Sequence, residues 1–300
     1  MATGTALAGK KRPGEMMVQL FLLFAAGVSV LTTLGIVVTL GKESFLFFRE
    51  VSPIEFLTAR KWQPQIEEFG ILPLFTATVV TSLIAMMIAL PAGLASAVWL
   101  SEYAPEKARS VIKPILEILA GIPSVVYGFF ALQSVTPALR NVFGGERVDV
   151  YNTMSAGIVM GVLILPLISS MCEDALSSVP HSMREGAYAL GATKIEVSLN
   201  IVMPAAFSGL AAAFIVGFSR AIGETMIVAL AAGAGPNLTL NPFRAAETMT
   251  GHIVRISGGD LSYDSIDYNS LFAIGLLLFL ITLGLNMLSS RLVRKYREVY

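Results

Sequence analysis

Charge is what this 300-residue sequence has least of. Asp, Glu, Lys and Arg together make up 14% of it, against roughly 25% in an average globular domain. Acidic and basic residues balance at 21 each, so no net field attracts nucleic acid. A single cysteine, Cys172, excludes an intramolecular disulfide. With only two histidines, His181 and His252, too few ligands remain for a zinc cluster. Internal repeats and low-complexity stretches are missing too, so neither a repeat array nor a disordered tail fits. What is abundant is apolar character, at 55% hydrophobic residues and a mean hydropathy of +0.71. A soluble chain so poor in charge could not cover its surface, and the sequence reads as an integral membrane protein.

About 20 apolar residues are needed to cross the hydrocarbon core as a helix. Six regions qualify: Met17–Leu40, Gly70–Leu100, Ile118–Leu139, Val150–Cys172, Ala205–Ala234 and Tyr268–Ser290. Only the fifth carries charge, at Arg220 and Glu224. Long spans without alternating polarity exclude an outer-membrane barrel. The first segment is too long for the apolar core of a signal peptide and lacks a small-residue cleavage site, so it is read as a membrane helix. The expected fold is all-α and polytopic. Lys and Arg favour the side that holds both termini and the even-numbered connections, with 12 against 8 on the other side. That asymmetry predicts cytoplasmic termini. The outer connections are then about 41–69, 140–152 and 235–267, surfaces that either dock a partner or cap the bundle.

Four stretches carry candidate chemistry. Gly4 to Lys10 has phosphate-loop spacing, but Lys11 stands where a magnesium-holding Ser or Thr is required. The chain therefore has no nucleotide-binding motif of its own. In the connection 173–204, Ser182-Met-Arg-Glu185 and Thr193-Lys-Ile-Glu196 each have capping-box spacing. Gly191 between them suits a left-handed helix end, and Pro204 interrupts the second helix. This helix–turn–helix, with Ala187, Ala189 and Leu190 as small or apolar contacts, either docks a partner or rests on the bilayer. Arg220 and Glu224 are spaced to share one helix face near the bilayer midplane, where an arginine is costly. They form either a structural ion pair or a grip for phosphate or carboxylate. Glu224 would temper an otherwise too-tight anion site and accept a hydrogen bond from a protonated oxyanion. Finally, Gly121, Pro123 and Gly128 weaken the third span. It is either a packing kink or a substrate-facing break offering the hydroxyls of Ser124 and Tyr127. Two further clusters have ordinary explanations. Asp260, Asp264 and Asp267 are too loosely spaced for calcium. Trp62 and Phe69 are read first as interfacial anchors, with a binding-protein contact as the alternative.

Glu185-Gly186-Ala187, then three residues, then Gly191, then nine residues, then Ile201-Val-Met-Pro204 resembles the EAA loop of bacterial ABC importer permeases. Gly186 and Met203 are mild departures from that pattern. The runs Phe218-Ser-Arg-Ala-Ile-Gly-Glu-Thr-Met226 and Gly121-Ile-Pro-Ser-Val-Val-Tyr-Gly128 extend the likeness, over about residues 70–295, to the C-type permease of phosphate-specific ABC importers. The resemblance implies a type I importer bundle. It implies that Glu185, Gly186, Ala187, Gly191, Ile201 and Pro204 lie at a coupling interface with a separate ATPase subunit. It places Arg220 and Glu224 on the phosphate path; Ser124 and Tyr127, from the weakened third span, remain the weaker candidates. It further implies an A-type permease subunit, two ATPase subunits that hold ATP and magnesium, and an external phosphate-binding protein as partners, with this chain itself in a bacterial inner membrane. No cofactor is expected on this chain. Residues 1–69 would hold the first helix and outer loop, 70–290 the permease domain, and 291–300 a cytoplasmic tail. An importer of sulfate or molybdate is the alternative. A secondary anion symporter is disfavoured because no repeat is visible.

Overall fold

The computed structural model describes residues 13–259 and 265–296. Lys10 to Arg12, the 4–10 decoy, Asp260, Asp264 and Arg297 lie outside them. Helix α1 (Pro13–Glu50) leads into a short α2 (Pro53–Thr58) and a two-residue hairpin of β1 (Trp62–Gln63) and β2 (Glu68–Phe69). Helix α3 (Leu72–Val98) continues as a wider turn over Trp99–Tyr103. Then come α4 (Glu106–Gly121), α5 (Ser124–Phe130), a second wide turn at Ala131–Val135, and α6 (Thr136–Phe143). Helix α7 (Thr153–Ser177) precedes the small helices α8 (His181–Ala189), α9 (Lys194–Val197) and α10 (Met203–Ala205). Helices α11 (Phe207–Ile222), α12 (Met226–Ala231), α13 (Met249–Ser257) and α14 (Ile266–Tyr296) complete the chain.

The six apolar regions resolve into four uninterrupted crossings and two bent ones. The expected third span, 118–139, is not one helix. Instead α4 meets the α5–α6 segment at 86°. Pro123 has no amide proton and forces Ile122 into an extended conformation, ψ 129°. The fifth region also departs from expectation. It bends by 73° at Ala206 and breaks again at Gly223–Thr225.

Helices α3 and α7 form the scaffold. Thr81 and Ile84 face Gly157, Ala85 faces Gly161, and Gly93 faces Ile168. Both residue numbers rise together, so the two helices run parallel. The chain between them must therefore return to its starting end, which makes α4, α5 and α6 a single bent crossing. A Cβ at Gly161 would sit 2.8 Å from the Ala85 carbonyl oxygen, so only glycine permits this approach. Helix α11 packs antiparallel against α7, with Gly209 on Ala175 and Gly217 on Ile168.

A second core lies at the end of the molecule opposite α8. Phe47, Phe56, Trp62, Phe69 and Met249 are almost fully buried there. Their rings meet edge to face, Phe47–Phe69 at 5.3 Å and Trp62–Phe69 at 5.6 Å between centroids. Trp62 and Phe69 are thus core residues, neither membrane anchors nor a docking surface. Aromatic rings suit both settings, and here α1 runs ten residues beyond its expected end and brings Phe47 over them.

Candidate translocation and coupling sites

Arg220 lies in the last turn of α11, exposed, with no hydrogen-bond or ion-pair partner among the described residues. Glu224 does not pair with it. The shared helix face requires unbroken helix, and α11 ends at Ile222. The Glu224 side chain turns forward instead. Its Oε1 accepts hydrogen bonds from the backbone N–H groups of Met226 (3.2 Å) and Ile227 (3.5 Å) at the start of α12. Its carbonyl accepts from the Thr250 hydroxyl at 2.6 Å. Glu224 is 7% exposed, and its Oε2 makes no hydrogen bond among the described residues. The carboxylate therefore holds the break open by satisfying amides that a continuous helix would have bonded internally.

The two breaks meet. Helix α5 packs on α12 through Gly128, where a Cβ would come within 2.8 Å of the Leu230 side chain. The Tyr127 hydroxyl donates to the Leu119 carbonyl oxygen at 2.9 Å, across the α4–α5 bend. Its proton is thus committed to the bend, while Ser124 opens α5, half-buried. The structure brings Tyr127 and the 224–230 segment into one region and leaves Arg220, beside it, without a charged partner among the described residues.

At the α8 end, the second capping box forms as expected. Thr193 N–H donates to Glu196 (2.7 Å) and Glu196 N–H to the Thr193 hydroxyl (3.4 Å). Those hydrogen bonds hold the exposed Glu196 carboxyl below its usual range. The first capping box does not form. Pro180 starts α8 at His181, so Ser182 is already inside the first turn and caps nothing. Gly191 adopts φ +83°, as a left-handed helix end requires. Glu185, Gly186, Gly191 and Pro204 are exposed, whereas Ala187 and Ile201 are half-buried. Ala187 packs on the main core. Leu190, 90% exposed, is the most prominent apolar side chain of the loop.

Three buried or half-buried charge clusters were not legible in the sequence. Glu173, 1% exposed, receives Lys113 at 2.7 Å and also Arg109, both from α4. Arg184 binds Glu102 (2.8 Å) and the carbonyls of Val179 (2.5 Å) and Leu176 (2.9 Å). At the opposite end, Glu247 accepts from Arg255 (2.5 and 3.0 Å) and from the backbone N–H of Gly235 (3.2 Å), with His252 Nδ1 at 3.3 Å. Burial raises the Glu247 pKa, and the hydrogen bonds and charges of His252 and Arg255 outweigh it, leaving it below the usual carboxylate value. Among the described residues no cluster of His, Cys, Asp or Glu has metal-binding geometry.

Residues 89–298 match the family described as binding-protein-dependent transport system inner membrane components. The probable ABC transporter permease protein YqgH of Bacillus subtilis is 38% identical, over 90% of this chain and 87% of its own length. The phosphate transport system permease protein PstC of Xylella fastidiosa (strain Temecula1) is 34% identical, over 78% of this chain and 76% of its own. Among solved structures, a bacterial alginate ABC transporter complex includes a chain that superposes with a TM-score of 0.62 at 13% identity, over 96% of this chain and 99% of that one. A chain of the inward-facing MetNI methionine ABC transporter reaches 0.55 at 22%, over 76% and 95%. At those identities the likeness shows the fold. The sequence relatives carry the assignment further, and with the family match covering more than half its length this chain belongs to the binding-protein-dependent ABC permeases, multi-pass transport components of the inner membrane.

Proposed function

We propose that this chain is the C-type permease subunit of an ATP-driven importer that carries inorganic phosphate inward by alternating access. The observation that carries the proposal is Arg220: a guanidinium with no partner among the described residues, in an apolar crossing whose one other charge, Glu224, holds the adjoining break open. A cation so placed needs an anion, and its planar fork suits a tetrahedral oxyanion. The free Glu224 Oε2 can accept the proton that phosphate retains at neutral pH, whereas sulfate has none to offer. Relatives named as phosphate permeases support the same cargo. Both termini lie in the cytoplasm on this reading, as does α8. The exposed Leu190, Tyr188 and Ile195 around Glu185 and Gly191 seat in a separate ATPase subunit, where ATP and magnesium are held. A second, A-type permease subunit, two ATPase subunits and an external phosphate-binding protein complete the assembly. Ser124 lines the path at the bend, and Tyr127 shapes it.

The test is ATP-driven uptake of labelled phosphate in vesicles holding the full complex, with the native chain compared with Arg220→Ala. The expected result is loss of uptake with ATP hydrolysis retained. Uptake that is unchanged at matched hydrolysis would make Arg220 structural. Competition by excess unlabelled sulfate in the native complex would discard phosphate as the preferred cargo.

A further inference from the structure

The α8–α9 loop touches the rest of the chain through charge at two consecutive residues. Arg184 of α8 grips Glu102 with Nη2 at 2.8 Å and Nε at 3.3 Å from each carboxylate oxygen. Lys194 of α9 sits over the Tyr103 ring at 5.1 Å. Glu102 and Tyr103 close the wide turn Trp99–Tyr103, and only Ala104 and Pro105 separate that turn from α4. The Arg184–Glu102 pair is buried, with side chains 10% and 4% exposed. Arg184 also donates to the Val179 and Leu176 carbonyls at the end of α7, so its fork has one fixed orientation.

The path continues from there. Helix α4 has no buried residue of its own and is fastened to α7 by Arg109 and Lys113 on Glu173. It ends at the 86° bend, which Tyr127 spans. Beyond the bend, α5 rests on α12, whose first amides Glu224 holds. The links are rigid helices, charge-assisted pairs at Glu102 and Glu173, one hydroxyl–carbonyl bond at Tyr127 and side-chain packing at Gly128, and wide helical turns of this kind are frequent at functional sites.

We propose that Arg184 is the positioning residue that transmits movement of the α8–α9 loop to the translocation break, through Glu102 and α4. This rests on the ABC permease reading and adds the internal route. A displaced α8 draws Glu102 with it, because unpairing either charge in so dry a place is costly. The turn then swings α4 about the Ile122–Pro123 bend. Lysine is no substitute for Arg184, since one ammonium cannot hold a carboxylate and two carbonyls in a fixed plane.

The experiment uses the full complex in vesicles with Arg184→Lys, Arg184→Ala and Glu102→Gln, after co-purification shows that each complex assembles. Phosphate moved per ATP hydrolysed should fall about tenfold in Arg184→Lys and Arg184→Ala, a usual size for coupling between sites. It should fall less in Glu102→Gln, which keeps an acceptor. A purely structural role would lower uptake and hydrolysis together, and a native ratio in the assembled variants would overturn the proposal. If Arg184→Ala fails to assemble, the two conservative variants decide. A second readout is independent of cargo. ATP, trapped with vanadate, should change amide hydrogen exchange in both α8 and α4 of the native complex, but in α8 alone when Arg184 is lysine. An equal α4 response in the variant sinks the relay. Absence of phosphate uptake by the native complex sinks the cargo and leaves this exchange test standing.

Discussion

Helices α3 and α7 cross the molecule unbroken, although each carries an internal proline, Pro91 and Pro166. The α11–α12 crossing breaks at Gly223–Thr225, where there is no proline at all. The comparison teaches that proline by itself does not decide where a membrane helix stops. In α3 and α7 the prolines lie near Gly93 and Ile168, where the two helices close on each other, and a neighbour that near covers the loosened backbone. A Cβ at Gly223 would meet only its own helix among the described residues, and the Glu224 carboxylate is at hand to take over the amides that follow. Continuity belongs to α3 and α7, which close on each other at the level of their prolines. Discontinuity belongs to the region where side chains have replaced backbone bonds, and Arg220, without a partner among the described residues, lies in that second region.

Three measurements would break or sharpen this contrast. The largest effect is expected on the zipped pair. Gly161→Leu drives a side chain into the Ala85 carbonyl and should cost about 3 kcal/mol or more. It should be read as a lowered midpoint of thermal unfolding in detergent. A native midpoint would mean that the α3–α7 contact is slack and the contrast false. Next comes the tether beyond the α12 end of the broken crossing, where Glu247 holds Gly235, His252 and Arg255. Its pKa is depressed in the folded chain. Its contribution is therefore complete above the unfolded carboxylate value, about 4.3, and is lost as pH falls through the lower folded value. Trp62 packs edge-on against His252 at 5.1 Å, so its emission in a Trp99→Phe background should stay constant to about pH 4 and change only below. An emission that stays unchanged well below about pH 4 would mean that Glu247 does not hold the tether. The smallest effect is expected at Tyr127. Removing its hydroxyl in Tyr127→Phe deletes one bond to Leu119, worth about 1 kcal/mol. Transport should keep its KM, and a raised KM at unchanged kcat would place the hydroxyl on the cargo instead.

Much of this architecture was legible before any coordinates. Six apolar regions announced six crossings, Thr193 and Glu196 announced a helix start, and Gly191 a helix end. The α4–α5 bend was visible as weakness at Pro123, though not as a right-angled turn. What stayed hidden has a common cause. Arg184 and Glu102 lie 82 residues apart, and Arg109 and Glu173 lie 64 apart; spacing rules reach only one or two helical turns. Such charges counted merely as topological markers. Arg220 and Glu224 were misjudged in the opposite way. Their spacing implied a shared face, but that inference assumed an unbroken helix, and the helix ends because Glu224 itself is spent on the amides of Met226 and Ile227. Trp62 and Phe69 failed for a third reason: an aromatic ring beside a membrane span has the same composition whether it faces lipid or a neighbouring ring.

Helix α1 sets a height. Its 38 residues extend about 57 Å, nearly twice the ~30 Å of hydrocarbon they have to pass. Its charge-free part ends at Leu40, and Lys42 and Glu43 follow at once. Phe47 then stands about 10 Å further along the axis, and the ring cluster is built around it. The excess length of α1 therefore serves that core, where Phe47 closes over Phe56 and Phe69, rather than the crossing of hydrocarbon.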